Sequence, residues 1–185
     1  MADGKSKKGW NEVAKAISEK NPKEMVKLIK DLYSLSHENR NFVNARCLSG
    51  SEQLNPYKAI IEKSLYPDVY EKQTINLSAG KKAISDYKKA IGDLVGTLEL
   101  MVFYVECGNN FTIDFGDICD SFYSSLESMF NRIVTLLKKS DESVNKMFQP
   151  RLRDIVDKAK EKGIGWGYTD FLRNAFAEAF PENGN

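Results

Sequence analysis

The chain has 185 residues, which fits one domain of ordinary size and is enough to bury a substantial hydrophobic core. Its 27 basic and 26 acidic side chains leave a net charge of +1, so no overall field would attract nucleic acid, an anionic membrane or an acidic substrate. The hydrophobic content of 42% and the lack of a low-complexity tract exclude a disordered chain.

Helical spacing of apolar residues is the main signal in the first third of the chain. Residues 1–9 are polar and basic and are predicted to be a disordered tail, and a first helix starts at Trp10. A second helix begins at Pro22, with an apolar stripe on one side and lysines on the other. Ser36 is expected to cap a third helix that continues to Gly50.

The middle of the chain contains the most apolar segment. A fourth helix is predicted over residues 52–65, and residues 67–76 have no sustained periodicity and predict a soft boundary. A fifth helix, capped by Ser78, turns its lysines outward. The sixth helix, over residues 94–105, is apolar on every face and ends at Gly108, so we expect other helices to surround it.

The last part of the chain predicts three more helices. Residues 108–116 are interpreted as a loop held by two aromatic side chains, and a long helix follows over residues 117–139. An eighth helix begins at Asp141, and Pro150 is expected to kink or divide it. In the glycine-rich turn of residues 163–167, Trp166 is expected to anchor the chain before the closing helix.

The pattern as a whole predicts an all-α protein. There is no strand pair with turn chemistry and no internal repeat. Eight to nine helices would form either an irregular helical bundle or a short stack of helical hairpins. We expect one helical domain over residues 10–181, with a disordered tail at residues 182–185.

Six segments carry a resemblance to a known family. They are residues 28–33 (LIKDLY), 44–46 (NAR), 86–90 (DYKKA), 100–108 (LMVFYVECG), 122–129 (FYSSLESM) and 165–167 (GWG). Together they resemble a family of bacterial proteins known as a domain of unknown function, over most of the chain outside the two tails. The resemblance implies a bacterial, soluble, single-domain protein. Because that family has no assigned activity, the resemblance implies no catalytic residue.

Glu99 is the only charge inside the apolar segment of residues 94–105. A charged side chain on a buried helix must be paired, hydrogen-bonded or protonated. The favoured interpretation is a structural ion pair with Arg46, which lies in the apolar row of the third helix. The alternative is a small-ligand pocket or an enzyme site in which Glu99, Arg46, Asn39 and Tyr87 surround a polar ligand.

Four lysines of the fifth helix are candidates for nucleic-acid binding. They are Lys81, Lys82, Lys88 and Lys89, and their spacing lets them follow a phosphate backbone. A solvated helix face is the favoured alternative, because there is no helix-turn-helix signature and no aromatic residue alternates with the lysines.

Catalytic and metal-binding patterns are missing, and we expect no cofactor and no catalytic residue. His37 is the sole histidine, and no serine or cysteine lies in a nucleophile motif. The three cysteines are widely spaced without a CxxC pair, which favours neither a disulfide framework nor a zinc site. The group Asp114, Asp117 and Asp120 lacks the loop pattern of a calcium site, and the glycine run lacks the spacing of a phosphate loop.

The leading hypothesis is a non-enzymatic helical protein–protein interaction module, with a protein partner or a homo-oligomer as its binding state. Five aromatic residues are the candidate interaction anchors: Tyr66, Tyr70, Phe111, Phe115 and Trp166. The N-terminal residues include no apolar stretch of signal-peptide length, and residues 94–105 are too short to span a bilayer. A cytoplasmic protein without a membrane partner is therefore expected.

Overall fold

The computed structural model describes residues 4–48 and 50–181. Within these ranges the chain forms nine α-helices, one short 3-10 helix (Gly50–Gln53) and no strand, and 79% of it is helical. The α-helices are α1 (Gly4–Ser18), α2 (Pro22–Leu35), α3 (His37–Cys47), α4 (Asn55–Leu65), α5 (Leu77–Ala90), α6 (Leu94–Phe115), α7 (Asp120–Leu137), α8 (Glu142–Lys162) and α9 (Tyr168–Ala179). The predicted all-α class and helix number are confirmed.

The chain divides into two compact units between Asn44 and Ala45. The sequence instead predicted one domain with a soft boundary at residues 67–76. That segment lies inside the second unit, where the N–H of Asn76 donates to the carbonyl of Ser64, 2.8 Å away, and fastens the connection to α4. Residues 4–9 of the predicted tail belong to α1, while residues 1–3 and the predicted tail at 182–185 lie outside the described residues.

The first unit contains α1, α2 and most of α3. A capping box starts α2: the side chain of Asn21 accepts from the N–H of Glu24 at 3.0 Å, and Glu24 accepts from the N–H of Asn21 at 2.9 Å. The hydroxyl oxygen of Ser36 accepts from the N–H of Asn39 at 3.0 Å, as predicted for the start of α3. Among residues 9–44, whose exposure is described, none is buried. These helices therefore have no core of their own within that range.

The second unit is built around α6. This helix packs against α4, α5, α7 and α8, and Leu98, Val102 and Val105 on it are fully buried. The carboxylate of Asp93 caps it by accepting from the N–H of Gly96 at 2.6 Å. The predicted surrounded helix is thus confirmed. No helix in the described part of the chain is long and apolar enough to cross a membrane.

The end of α6 corrects the predicted loop at residues 108–116. The helix continues through Gly108 and ends at Gly116, which has a φ of +90°. A Cβ on Gly108 would lie 2.5 Å from Cδ2 of Leu126 on α7, so this glycine lets the two helices approach closely. The packing of α6 on α7 outweighs the roughly 1 kcal/mol by which glycine disfavours a helix.

Several other helix ends differ from the prediction. Asn76, and not Ser78, caps α5, because its side-chain oxygen accepts from the N–H of Ala79 at 3.1 Å. The long helix α7 begins at Asp120, three residues later than expected. Pro150 does not divide α8, which is continuous from Glu142 to Lys162.

We expect Gly108→Ala to lower the free energy of unfolding by about 1–3 kcal/mol, because the added methyl must displace a fully buried leucine. Urea denaturation followed by far-UV circular dichroism measures the change. Gly9→Ala is the matched control, since a Cβ on Gly9 in α1 meets nothing within 4 Å. The control should be neutral or stabilising by about 0.5–1 kcal/mol, and an equal loss in both variants would contradict the close-packing explanation.

Candidate functional site

Four charged side chains form a partly buried cluster across three helices, here called the Glu99 cluster. Glu99 and Glu106 lie two turns apart on α6, Arg151 lies on α8 and Lys58 on α4. Arg151 binds Glu106 through two hydrogen bonds of 2.8 and 2.6 Å, and its third nitrogen donates to Glu99 at 2.5 Å. Lys58 donates to the other oxygen of Glu99 at 2.6 Å. All four groups are therefore paired.

The two cations keep Glu99 ionised. Burial raises the pKa of this carboxyl, but hydrogen bonds and charge interactions with Lys58 and Arg151 outweigh it and leave the pKa below its ordinary value. The hydrogen bond to Glu106 raises the pKa of Arg151. The ammonium group of Lys58 also lies 5.3 Å from the centre of the Phe103 ring. Glu99 and Arg151 are thus both charged at neutral pH.

The residues predicted to surround Glu99 make other contacts. Arg46 was expected to pair with Glu99, but both oxygens are bound by Lys58 and Arg151, and Nε of Arg46 donates to the carbonyl of Ala90 at 2.6 Å. The hydroxyl of Tyr87 donates to Asp93 at 2.7 Å. The amide of Asn39 donates to the carbonyl of Leu32 at 2.8 Å. None of these hydrogen bonds joins two members of the predicted set, and a shared site around Glu99 stays a prediction.

The sequence did not reveal Lys58 and Arg151 as partners of Glu99, or Glu106 as the second carboxylate of the cluster. The spacing of Glu99 and Glu106 was a usable signal, because residues seven apart lie on one side of a helix. Arg151 follows Pro150 on a helix 45 residues beyond Glu106, and no local pattern pairs two such distant positions. With both oxygens of Glu99 bound, the cluster is suited to fastening α4 and α8 onto α6.

Four of the five predicted anchors meet at one place in the second unit, here called the aromatic surface. The Tyr66 ring lies 5.7 Å from the rings of both Phe111 and Phe115, and the two phenylalanine rings are 4.8 Å apart. Tyr66, Tyr70 and Phe115 line one shallow groove with Pro67. Phe111 is buried beneath it, whereas Tyr70 is 91% exposed and Phe115 is 44% exposed. Their role as interaction anchors stays a prediction.

Trp166 does not anchor the glycine-rich turn. Its side chain is 59% exposed, and the buried residue of the turn is Ile164. The backbone of Trp166 has a φ of +61°, and the flanking Gly163 and Gly167 also have positive φ. The predicted need for left-handed backbone conformations is confirmed, but the side chain expected to hold the turn points into solvent.

The lysines of α5 lie on its exposed side, as both interpretations of them require. Lys82 pairs with Asp86 on the next turn at 2.6 Å. The buried residues of α5 face the other way and include Ala83, Ile84 and Tyr87. The exposed position of these lysines fits both a solvated helix face and a weak nucleic-acid surface. Nucleic-acid binding therefore stays a prediction.

Two members of the acidic group Asp114, Asp117 and Asp120 accept hydrogen bonds from tyrosine hydroxyls. Asp114 accepts from Tyr66 at 2.7 Å, and Asp117 accepts from Tyr123 at 2.7 Å. Within residues 4–48 and 50–181 no group of three or more histidine, cysteine or acidic side chains is placed to hold a metal ion. Asp114 and Asp117 therefore act as hydrogen-bond acceptors in the described structure.

The first unit exposes a set of large hydrophobic side chains, here called the N-terminal apolar surface. Its members, which are between 42% and 74% exposed, are Trp10, Val13, Val26, Ile29, Leu32, Leu35 and Phe42. The sequence predicts the stripe on α2, but it does not show that the stripe is left uncovered. Contiguous exposed apolar patches mark interaction sites. The members on α2 follow one another every three residues along that helix, so they are the strongest functional candidate in the described chain.

Comparison of the chain with protein-family models, with curated proteins and with solved structures gave no match. The resemblance to a bacterial family therefore stays an expectation.

We expect Glu99→Gln to lower the free energy of unfolding at pH 7 by about 1–3 kcal/mol, the range for losing hydrogen bonds to charged groups. Because the pKa of Glu99 is lowered from 4.5 in the folded protein, its contribution is present above pH 4.5 and is lost as the pH falls through the folded pKa. The difference from wild type should therefore shrink at about pH 3. Urea denaturation at the two pH values measures it.

Glu178→Gln is the control for that experiment, because the ion pair of Glu178 with Lys138 is exposed. Exposed pairs contribute little in water, so no measurable change is expected. A Glu99→Gln variant as stable as wild type at pH 7 would contradict the stabilising role of the Glu99 cluster.

Proposed function

We propose that the chain is a non-enzymatic helical protein–protein interaction module and that the N-terminal apolar surface is its docking surface. The observation that carries the proposal is the contrast in burial between the two units. Residues 9–44 include no buried side chain yet expose seven large hydrophobic ones, whereas the second unit buries an extensive core. Covering such side chains is the main favourable contribution to protein association.

The amount of exposed apolar surface is sufficient for an interface. If a large side chain offers about 150–200 Å² when free, seven of them at 42–74% exposure present on the order of 600 Å². A stable interface of standard size buries about 800 Å² on each partner. The four members on α2, which follow one another every three residues, therefore supply the centre of such an interface, with polar residues at its rim.

We assign a second copy of this chain as the occupant, because the charges beside the α2 stripe are self-complementary. Glu24 and Asp31, seven residues apart, lie on one side of the stripe, and Lys23 and Lys30 lie on the other. In a parallel pair related by a twofold axis along the helices, the acidic side of each α2 faces the basic side of its partner. An antiparallel pair would place like charges together. The flanking charges thus select the orientation, and the apolar side chains supply the affinity.

The other functions considered have weaker support. A ligand or enzyme site around Glu99 would need a free carboxylate, and both oxygens of Glu99 are bound by cations. Nucleic-acid binding by α5 is supported only by the exposed position of its four lysines, one of which, Lys82, pairs with Asp86. The interaction module uses side chains that are exposed.

We expect the wild-type chain to be a dimer at low micromolar concentration and Ile29→Asp to raise the dimer dissociation constant about 100-fold. Each dimer would lose two isoleucine contacts and would bury two carboxylates. A cost of about 1.4 kcal/mol for each copy gives the 100-fold change. Size-exclusion chromatography with light scattering over a concentration series measures the constant. Far-UV circular dichroism checks that α2 is still helical.

Lys27→Asp is the matched control, because it introduces the same residue on the opposite, polar side of α2. It should remain a dimer. A wild-type chain that is monomeric at 100 µM, or a Lys27→Asp variant that dissociates as readily as Ile29→Asp, would contradict self-association through the N-terminal apolar surface.

A further inference from the structure

A groove of about 360 Å³ lies between α8 and α9 in the second unit. Residues of α8 at intervals of three and four form one wall, and residues of α9 at intervals of three and four form the other. The residues that matter for its chemistry are Arg153, Val156 and Lys160 on α8 and Arg173, Phe176 and Phe180 at α9. The volume falls in the usual range of small-molecule sites, about 300–1,000 Å³.

The rim of this α8–α9 groove is basic. Arg153, Lys160 and Arg173 are all exposed, and Asp157 is the one carboxylate among the lining residues. Arg173 makes an exposed ion pair with Asp170 at 2.9 Å, and pairs of that kind hold a side chain only weakly. An anion at the rim would therefore meet Lys160 and Arg173, and Arg173 can exchange its exposed partner Asp170 for the anion.

The floor of the groove is apolar. Val156 and Phe176 are almost fully buried, and the rings of Phe176 and Phe180 are 5.0 Å apart. The guanidinium carbon of Arg153 lies 5.0 Å from the centre of the Phe176 ring, which fixes one cation at the boundary between floor and rim. A fully hydrated inorganic anion would gain nothing from such a floor, whereas a hydrophobic group would lose contact with water there.

We propose that the α8–α9 groove binds a small molecule that joins one anionic group, a carboxylate or a phosphate, to a hydrophobic body. The body lies on Val156, Phe176 and Phe180, and the anionic group is held at the rim by Lys160 and Arg173. A charge-assisted hydrogen bond from arginine is stronger than a neutral one. This binding site is separate from the N-terminal apolar surface and does not depend on self-association.

Isothermal titration calorimetry with decanoate, and with 1-decanol as the uncharged probe of the same chain length, tests the proposal. Decanoate should bind the full chain about tenfold more tightly than decanol, because only the carboxylate can use the basic rim. The double variant Lys160→Glu/Arg173→Glu should weaken decanoate binding about tenfold or more. If that variant does not fold, the milder Lys160→Ala/Arg173→Ala variant replaces it and should also weaken decanoate binding.

Lys162→Glu is the matched control, since Lys162 is also in the last turn of α8 but does not line the groove. It should bind decanoate within about twofold of wild type, as should the Ile29→Asp variant. No decanoate binding, equal affinity for decanol, an equal loss in Lys162→Glu, or a loss of binding in Ile29→Asp would each overturn the proposal. The last result would place the probe on the N-terminal apolar surface.

Discussion

The structure of the second unit depends on burying α6, a helix of 22 residues that packs against four others. Its apolar side chains supply the driving force, and Gly108 allows α7 to approach closely. The same helix carries Glu99 and Glu106, whose carboxylates lie partly buried beside the core. Arg151 on α8 and Lys58 on α4 form ion pairs with these carboxylates. Hydrophobic burial and ion pairing thus both hold α4 and α8 against α6.

The fold class could be predicted from the sequence because helical periodicity is a local property. The stripe on α2, the cap at Ser36 and the buried character of α6 all follow from residues within a few turns of one another. Gly108 was misread because its local preference argues against a helix, while the reason it is helical is a contact with Leu126 on α7. Local helix propensity gives the wrong secondary structure where a tertiary contact outweighs it.

The candidate sites show the same limit. Residue types identified Glu99 as a charge needing a partner, and four of the five proposed aromatic anchors do meet at one surface. Neither Lys58 nor Arg151 could be chosen in advance, because a sequence offers many cations and no distances between helices. The sequence likewise could not show that Ile29 and its neighbours are exposed, because exposure depends on which other parts of the fold cover a side chain. That exposure is the basis of the proposed function.

Hydrogen–deuterium exchange of the full chain at 1 µM and 100 µM tests the proposed function most directly. If α2 is the centre of a dimer interface, its backbone amides should exchange more slowly at the higher concentration, while those of α6, already buried in each copy, should exchange at the same rate. Exchange from α2 that is independent of concentration would contradict the claim that the N-terminal apolar surface binds a second copy.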